Sequence, residues 1–284
     1  MKMYLECLAC VMNQALRAGR IATDNEETIR ELINDTGMMI KDIPMDASPP
    51  EIGELVYRKI NRIVENNDPY KNLKKRNIER ALKLYPEFKQ LVNQSGNPLL
   101  TAVKLAVAGN IIDFGVNKTF DIERDIRGIL EQEFAIFDFE QFTDRLNRVD
   151  EILYIGDNAG EGVFDRILIE EMDKPVKFAV RSIPIINDIT MDETGIIGLD
   201  SIAEIIDSGV KSPGLILKNA SRDFRELFSN ADMIISKGQG NYEGLSEETG
   251  NIFFLLKAKC HVIARDIGVN EGDIIIKSGS PGSE

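Results

Sequence analysis

Along the first 110 residues the apolar positions recur every three or four residues. From about residue 150 they come instead as short unbroken runs separated by helical stretches. Leu5, Leu8, Met12, Ala15 and Leu16 form one stripe and predict a first helix. A second is predicted from Asn25 or Glu26 to about Ile40 behind a Thr23/Asp24 cap, and a third from Glu51 to Val64 behind Ser48-Pro49-Pro50. Lys71 to Leu84 is a basic fourth helix that Pro86 is expected to interrupt. Leu99 to Ile112, opened by Pro98, is rich enough in Ala, Val and Leu to be buried. It ends on polar Asn110 and Asp113. Burying either without a partner costs about 1–3 kcal/mol, so both are expected at a cleft or a turn. Ile122 to Leu146 keeps helical periodicity and reads as a linking segment.

The second half changes period. Ile152 to Ile155 is a short buried strand, Gly156 to Gly162 a tight polar turn, and Val163, Phe164, Ile167, Leu168 and Met172 a helix face. Pro175 to Arg181 is a second strand, after which Ile185-Ile186-Asn187-Asp188 leads into a short helix from Thr190. Ile202 to Ile206 is strand or helix, and Ser221 to Phe228 is a helix capped by Ser221. Ala231 to Ser236 is a strand running into the loop Lys237-Gly238-Gln239-Gly240-Asn241. Phe253 to Ala258 is a strand, Val262 to Ile267 a short piece of either kind, Asp273 to Ile276 a final strand, and the tail is expected to be disordered. Strands alternating with helices predict an α/β fold with a largely parallel sheet. The expected division is a helical N-terminal region, 1–120, and an α/β domain, 121–284.

Composition narrows the function. The chain has 284 residues, 43% apolar and 29% charged, with 34 basic against 47 acidic side chains for a net charge of −13. That balance argues against a nucleic-acid partner, which needs basic clusters. The run from Lys71 to Arg80 reads as a solvated helix face. No stretch approaches a membrane span and the N-terminus lacks an apolar signal region, so the expected location is cytoplasmic. His261 is the only histidine, which nearly excludes a Ser-His-Asp triad or a multi-histidine zinc site. Chemistry must therefore rest on carboxylates, amides, lysine and a metal.

Two strand-to-helix turns offer such groups. Asp157 and Asn158 end one, Asp188 the other, and at one sheet edge three hard oxygen donors suit Mg²⁺ or Mn²⁺. Each acid read alone is equally a helix cap; the metal reading explains both turns together. Lys237 and the exposed amides of Gly238 and Gly240 can hold a phosphate, and read alone that segment is also an ordinary glycine loop. Cys7 and Cys10, three apart on one helix, are either half of a second metal site, a redox pair, or core packing. Cys260 is the third cysteine.

These segments occur in the order Cys7-x-x-Cys10, Gly109 to Asp113, Gly156 to Glu161, Ile186 to Thr190 and Lys237 to Asn241. In that order they resemble the metal-dependent damage-control phosphatases, also catalogued as domain of unknown function eighty-nine, and in particular the compact prokaryotic and archaeal branch. The resemblance covers nearly the whole chain. It implies a Rossmann-like three-layer α/β/α domain preceded by helices. It implies a divalent metal (Mg²⁺, Mn²⁺, Co²⁺ or Ni²⁺) on Asp157, Asn158 and Asp188, and hydrolysis of small phosphorylated metabolites such as sugar phosphates. Lys237 matches the position that contacts substrate phosphate, and Asn110 and Asp113 match a polar pair at the cleft. Glu161, Gly238, Gln239, Gly240 and Asn241 are expected around the substrate. Gly162 departs from the pattern, where a bulky aliphatic residue is expected.

Asp157, Asp188 and Lys237 would carry the reaction, with metal-activated water preferred over direct attack by Asp157. An aspartyl phosphatase would need an acid two residues on, and Ala159 stands there; Glu161 or Asp113 would have to substitute. Two other readings remain open: an S-adenosylmethionine-dependent carboxyl methyltransferase, and a metal- or phosphate-ligand-binding protein without turnover.

Overall fold

The structure is a computed structural model that describes residues 1–109 and 122–280, with the side chains of 122–125 left aside. Asn110 and Asp113 lie outside the described residues, as does the expected boundary at 120. The helices are α1 (Leu5–Ala22), α2 (Glu26–Ile40), α3 (Pro49–Ile63), α4 (Lys71–Gln94), α5 (Pro98–Gly109), α6 (Ile122–Glu131), α7 (Phe139–Arg148), α8 (Gly162–Met172), α9 (Met191–Ile197), α10 (Arg222–Asn230), α11 (Gly238–Leu245) and α12 (His261–Ile267). The strands are β1 (Phe134–Phe137), β2 (Ile152–Ile155), β3 (Val176–Val180), β4 (Glu204–Asp207), β5 (Ile234–Lys237), β6 (Ile252–Lys257) and β7 (Ile274–Ser278).

Among the described residues the strands form one sheet in the order β1-β7-β6-β5-β2-β3-β4. β6, β5, β2, β3 and β4 are parallel, β7 is antiparallel to β6, and β1 runs parallel to β7. Alternate residues of each central strand enter different cores. Ile152, Tyr154, Phe178, Ile235 and Leu255 pack with α4, α5 and α8 on one face. Leu153, Ile155, Ala179, Ile234 and Phe254 pack with α10, α11 and α12 on the other. Strands covered on both faces read as continuous apolar runs. This is the three-layer α/β/α arrangement expected. A third cluster joins α1, α2 and α3, and it reaches Ile185 and Ile186 at the edge of the sheet.

Four local expectations change. The segment read as uniformly helical from Ile122 to Leu146 contains β1, a four-residue edge strand with alternating burial, too short for its period of two to stand out. α4 runs through Pro86 because Ile78, Ala81, Phe88 and Val92 continue one buried face across it. Burying such side chains at about 1.5–3 kcal/mol each outweighs the roughly 3 kcal/mol that an internal proline costs. The first helix turns a different face inward. Val11, Ala15, Ala18 and Gly19 are buried, whereas Leu5 is 73% exposed and Leu16 38%. The segment read as a Gly-rich loop after β5 is helix α11.

α4 and α5, both N-terminal to residue 120, share the core of the sheet face covered by α8. The departure at Gly162 also has a local reason. A Cβ there would lie 3.1 Å from Ile197 Cδ1 and 3.2 Å from Ile189 Cδ1, so aliphatic groups from α9 and its approach already fill the space. No helix of the described residues is long and apolar enough to cross a membrane.

Candidate active site

The chain order reverses at β2, which has β3 on one side and β5 on the other. In an open parallel sheet that switch point leaves a crevice at the carboxyl ends of the strands. Asp157 and Asn158 leave β2 there, Arg181 leaves β3, and Lys237 ends β5. The two acidic turns are joined through the backbone. Asn158 and Asp188 form a short antiparallel bridge, Ile189 N–H donates to Asp157 O, and Ala159 N–H donates to Asn187 O, both at 2.8 Å. Ile186, at φ 40°, bends the second turn toward the first; a β-branched residue in that region carries strain.

Neither turn is explained as a helix cap. α8 starts from Glu161, which makes no side-chain cap bond. α9 is capped by Thr190 and Glu193 in a reciprocal capping box. The three candidate ligands therefore converge without a capping role: Asp157 and Asn158 are 7% exposed and Asp188 is 1% exposed.

Arg181, the last residue of the second predicted strand, enters the site from the end of β3. It is 1% exposed, and its Nε donates to Asp188 Oδ2 at 2.8 Å. Its Nη2 donates to Asn241 Oδ1 at 2.8 Å and lies 3.9 Å from Asp157 Oδ1. One guanidinium thus serves two carboxylates. Burial pushes the Asp188 carboxyl up to about 8; Arg181 opposes the rise and the charge on Asp157 adds to it.

Lys237 is fully buried. Its three protons go to Ala106 O at 2.8 Å, Glu161 Oε1 at 2.5 Å and Asp165 Oδ1 at 2.5 Å. An ammonium has three donors, and all three are engaged within the protein in this arrangement. Glu161 Oε2 in turn accepts from Asn158 Nδ2 at 3.2 Å, and the same amide reaches Asp157 Oδ2 at 3.2 Å. Lys237 therefore acts on the cleft through Glu161, which holds Asn158 Nδ2 and so fixes the orientation of that amide. Asp165 completes the cluster and accepts from Tyr154 Oη at 2.7 Å. Burial pushes its carboxyl up to about 7, with Lys237 pulling down and Glu161 pushing up. The signal for Asp165 was available: it shares a helix face with Glu161, Leu168 and Met172 at spacings of four, three and four.

Asn241 is likewise committed to the fold. Its amide donates to Gly156 O and Lys237 O, and accepts from Arg181 and Leu215 N–H. All four of its hydrogen-bonding positions are taken, which removes it as a substrate contact. Gln239 and Gly240 do line the cleft, as do Asp157 and Asn158. Gly238 opens α11, whose first backbone N–H groups have no partner within the helix. Gly240 has a packing role as well: a Cβ would sit 2.6 Å from Pro213 O. Gly240→Ala is therefore expected to cost about 1–3 kcal/mol by overpacking, read as a lowered Tm, and unchanged stability would count against this contact.

The cleft holds about 250 Å³, below the ~300 Å³ at which pockets begin to take drug-sized ligands. α1 contributes Arg17 to its lining and the turn after β6 contributes Lys259. Both are exposed cations with no carboxylate partner among the described residues, in a chain whose acids outnumber its bases 47 to 34.

A divalent cation fits the donor set. Asp188 Oδ1 is buried and without a hydrogen-bond partner, beside a second carboxylate and an oriented amide oxygen. A buried acceptor of this kind calls for a donor or a cation. Among the described residues no three His, Cys, Asp or Glu side chains form a metal cluster. A metal here would rest on two carboxylates and one amide, with water completing its shell. Among the described residues Cys7 and Cys10 likewise belong to no group of three such side chains. Cys7 is half-buried between two cores, with its thiol pushed up by desolvation, and Cys10 faces solvent and accepts from Gln14 Nε2.

The damage-control phosphatase ARMT1-like domain model matches residues 3–275. The chain belongs to that family. It is 37% identical to a damage-control phosphatase of Pyrococcus horikoshii over 97% of both chains. It is 31% identical to a damage-control phosphatase of Archaeoglobus fulgidus over 98% of this chain and 99% of the other. The crystal structure of a Pyrococcus horikoshii protein of the domain-of-unknown-function-eighty-nine family superposes with a TM-score of 0.91 at 35% identity, over 99% of this chain and 100% of that one. Membership makes this an enzyme, a metal-dependent phosphatase, and the methyltransferase alternative is not favoured. Arg181, turned onto Asp188 at the end of β3, also leaves no acid there to hold a ribose.

Proposed function

We propose that this enzyme hydrolyses small phosphomonoesters, sugar phosphates or related damaged metabolites, in the cleft above β2 and β5. Asp157, Asn158 and Asp188 would hold one divalent cation, Mg²⁺, Mn²⁺, Co²⁺ or Ni²⁺. The observation that carries this reading is the joining of two acidic turns at the switch point, with Asp188 Oδ1 left unpaired. When bound, the metal would supply positive charge against the phosphoryl oxygens and lower the pKa of a water.

The protein supplies the rest. Arg181 holds Asp188 by one oxygen and leaves the other for the ligand position. Glu161, fixed by Lys237, orients the Asn158 amide. Backbone N–H groups at the start of α11 offer donors to equatorial phosphoryl oxygens. Arg17 and Lys259 add long-range attraction for an anionic metabolite in a chain of net charge −13. Tyr57 and Tyr70, in edge-to-face contact with centroids 6.3 Å apart, give the opposite wall an apolar surface for the body of the substrate.

The test is inorganic phosphate release from a panel of sugar phosphates, phosphopantetheine and nucleotides, with each metal added and with EDTA. EDTA is expected to lower turnover by at least about 100-fold, the several kcal/mol a Lewis acid contributes, and the matching metal to restore it. Turnover indifferent to EDTA and to added metal would remove the metal from the mechanism. Tight ester binding with no phosphate released would instead support the non-catalytic reading.

A further inference from the structure

We propose that Glu243 is the general acid that protonates the leaving-group oxygen, a role that rests on the phosphatase reading above. The notional second acid of an aspartyl phosphatase is absent, since Ala159 occupies that position. Among the described residues the other acids near the site are committed: Glu161 and Asp165 to Lys237, and Asp188 to Arg181. Among the described residues the carboxylates lining the cleft are Asp157 and Glu243. Asp157 belongs to the proposed ligand set, which leaves Glu243.

Its placement suits an acid. Glu243 lies on α11, one turn beyond Gln239, and the Gln239 amide donates to Glu243 Oε1 at 2.9 Å. Gln239 is itself fixed, because its Oε1 accepts the Lys259 N–H at 3.0 Å. One carboxyl oxygen is thus clamped while the side chain remains part of the cleft wall shared with Asp157 and Asn158. No cationic side chain forms an ion pair with it among the described residues.

The groups around Glu243 favour the protonated form. Asp157 approaches from the end of β2 and Asp266 from α12, while the Met1 amino group lies on the far side, bonded to the Glu243 carbonyl. Cys7 and Cys10 of α1 are close enough for its charge to raise their thiols. Tyr57 of α3, Arg17 of α1 and Lys259 share the cleft lining. Burial pushes the Glu243 carboxyl up to about 7; Gln239 and the Met1 amino group pull it down, and Asp157 and Asp266 push it up. An acid that keeps its proton near neutrality is suited to donating it there.

In the step proposed, water forms the new bond to phosphorus as the bond to the ester oxygen breaks. The electron pair of that bond goes to the leaving oxygen, which takes the Glu243 proton and departs as an alcohol. The attacking water loses its proton to phosphate and solvent, and Glu243 is reprotonated from solvent.

The experiment compares metal-loaded wild type with Glu243→Gln on an alkyl ester, glycerol phosphate, and an aryl ester, p-nitrophenyl phosphate, whose phenolate leaves without a proton. The alkyl-to-aryl ratio of kcat is expected to fall by about 10²–10⁴-fold, the usual contribution of a general acid. The fall of alkyl-ester kcat with rising pH in the wild type is expected to vanish in the variant. Glu243→Asp, which keeps an acid, is expected to recover part of the ratio. An unchanged ratio overturns the proposal, whether both rates fall together or neither falls. Wild-type protein inactive on both esters with every metal overturns the phosphatase reading and this role with it.

Discussion

Asp157→Ala is expected to abolish metal-dependent turnover, by at least about 10³-fold in kcat, while leaving the protein as stable as before or more so. The two halves of this expectation come from different atoms. The turn is held by the Asp157 main chain, whose carbonyl accepts Ile189 N–H at 2.8 Å, and alanine keeps that bond. The side chain is not the N-cap of the helix that follows, since α8 begins at Glu161 without a side-chain cap bond. Its negative charge is one of the causes that raises Asp188, so deleting it relieves repulsion in a buried site. Phosphate release and a thermal melt on the same preparation check both halves. Full turnover would show that the ligand set is elsewhere, and loss of fold would show that the turn depends on the carboxylate.

Lys237→Met is expected to destabilise the protein by about 3–5 kcal/mol, because it strands two carboxylates in a fully buried site. At roughly 2–4 °C per kcal/mol for a chain of this size, Tm should fall by about 10 °C. Glu161 and Asp165 are each 0% exposed, and the lysine is their shared ion-pair partner. The triple variant Lys237→Met, Glu161→Gln, Asp165→Asn removes the charges together and is expected to regain much of the loss. Chemical denaturation of the single and triple variants measures the difference. A Lys237 whose main work were to contact substrate phosphate would give another result, a raised KM in a protein of unchanged stability.

The parts of the fold legible in the sequence are those written in local period. β2, β3, β5 and β6 appear as short apolar runs because both their faces are covered, and the helices between them carry repeats of three and four. β1 was not legible, because four residues at a sheet edge, half of them exposed, resemble the end of an amphipathic helix. α11 was not legible either. Gly238, Gly240 and Asn241 have poor helix propensity, and the helix persists because Tyr242 and Leu245 bury against β6 and Asn241 ties it to β2 and β3.

The candidate site divides in the same way. Two strand-to-helix turns ending in acids are legible from residue types and order; the backbone bridge that joins them is a feature of the tertiary structure. What the sequence by itself determined was therefore the α/β class and the succession of strands and helices along the chain, with Asp157, Asn158 and Asp188 as candidates at the ends of two turns. Only the tertiary structure decided which charges meet. Lys237 bonds Ala106, 131 positions away, and Glu161, 76 away; Arg181 reaches Asn241 across 60. Periodicity records that a side chain is buried, because burial is a property of one position on one face. It does not record the partner, since a buried charge is satisfied by whichever opposite charge the packing of distant elements brings within hydrogen-bond reach.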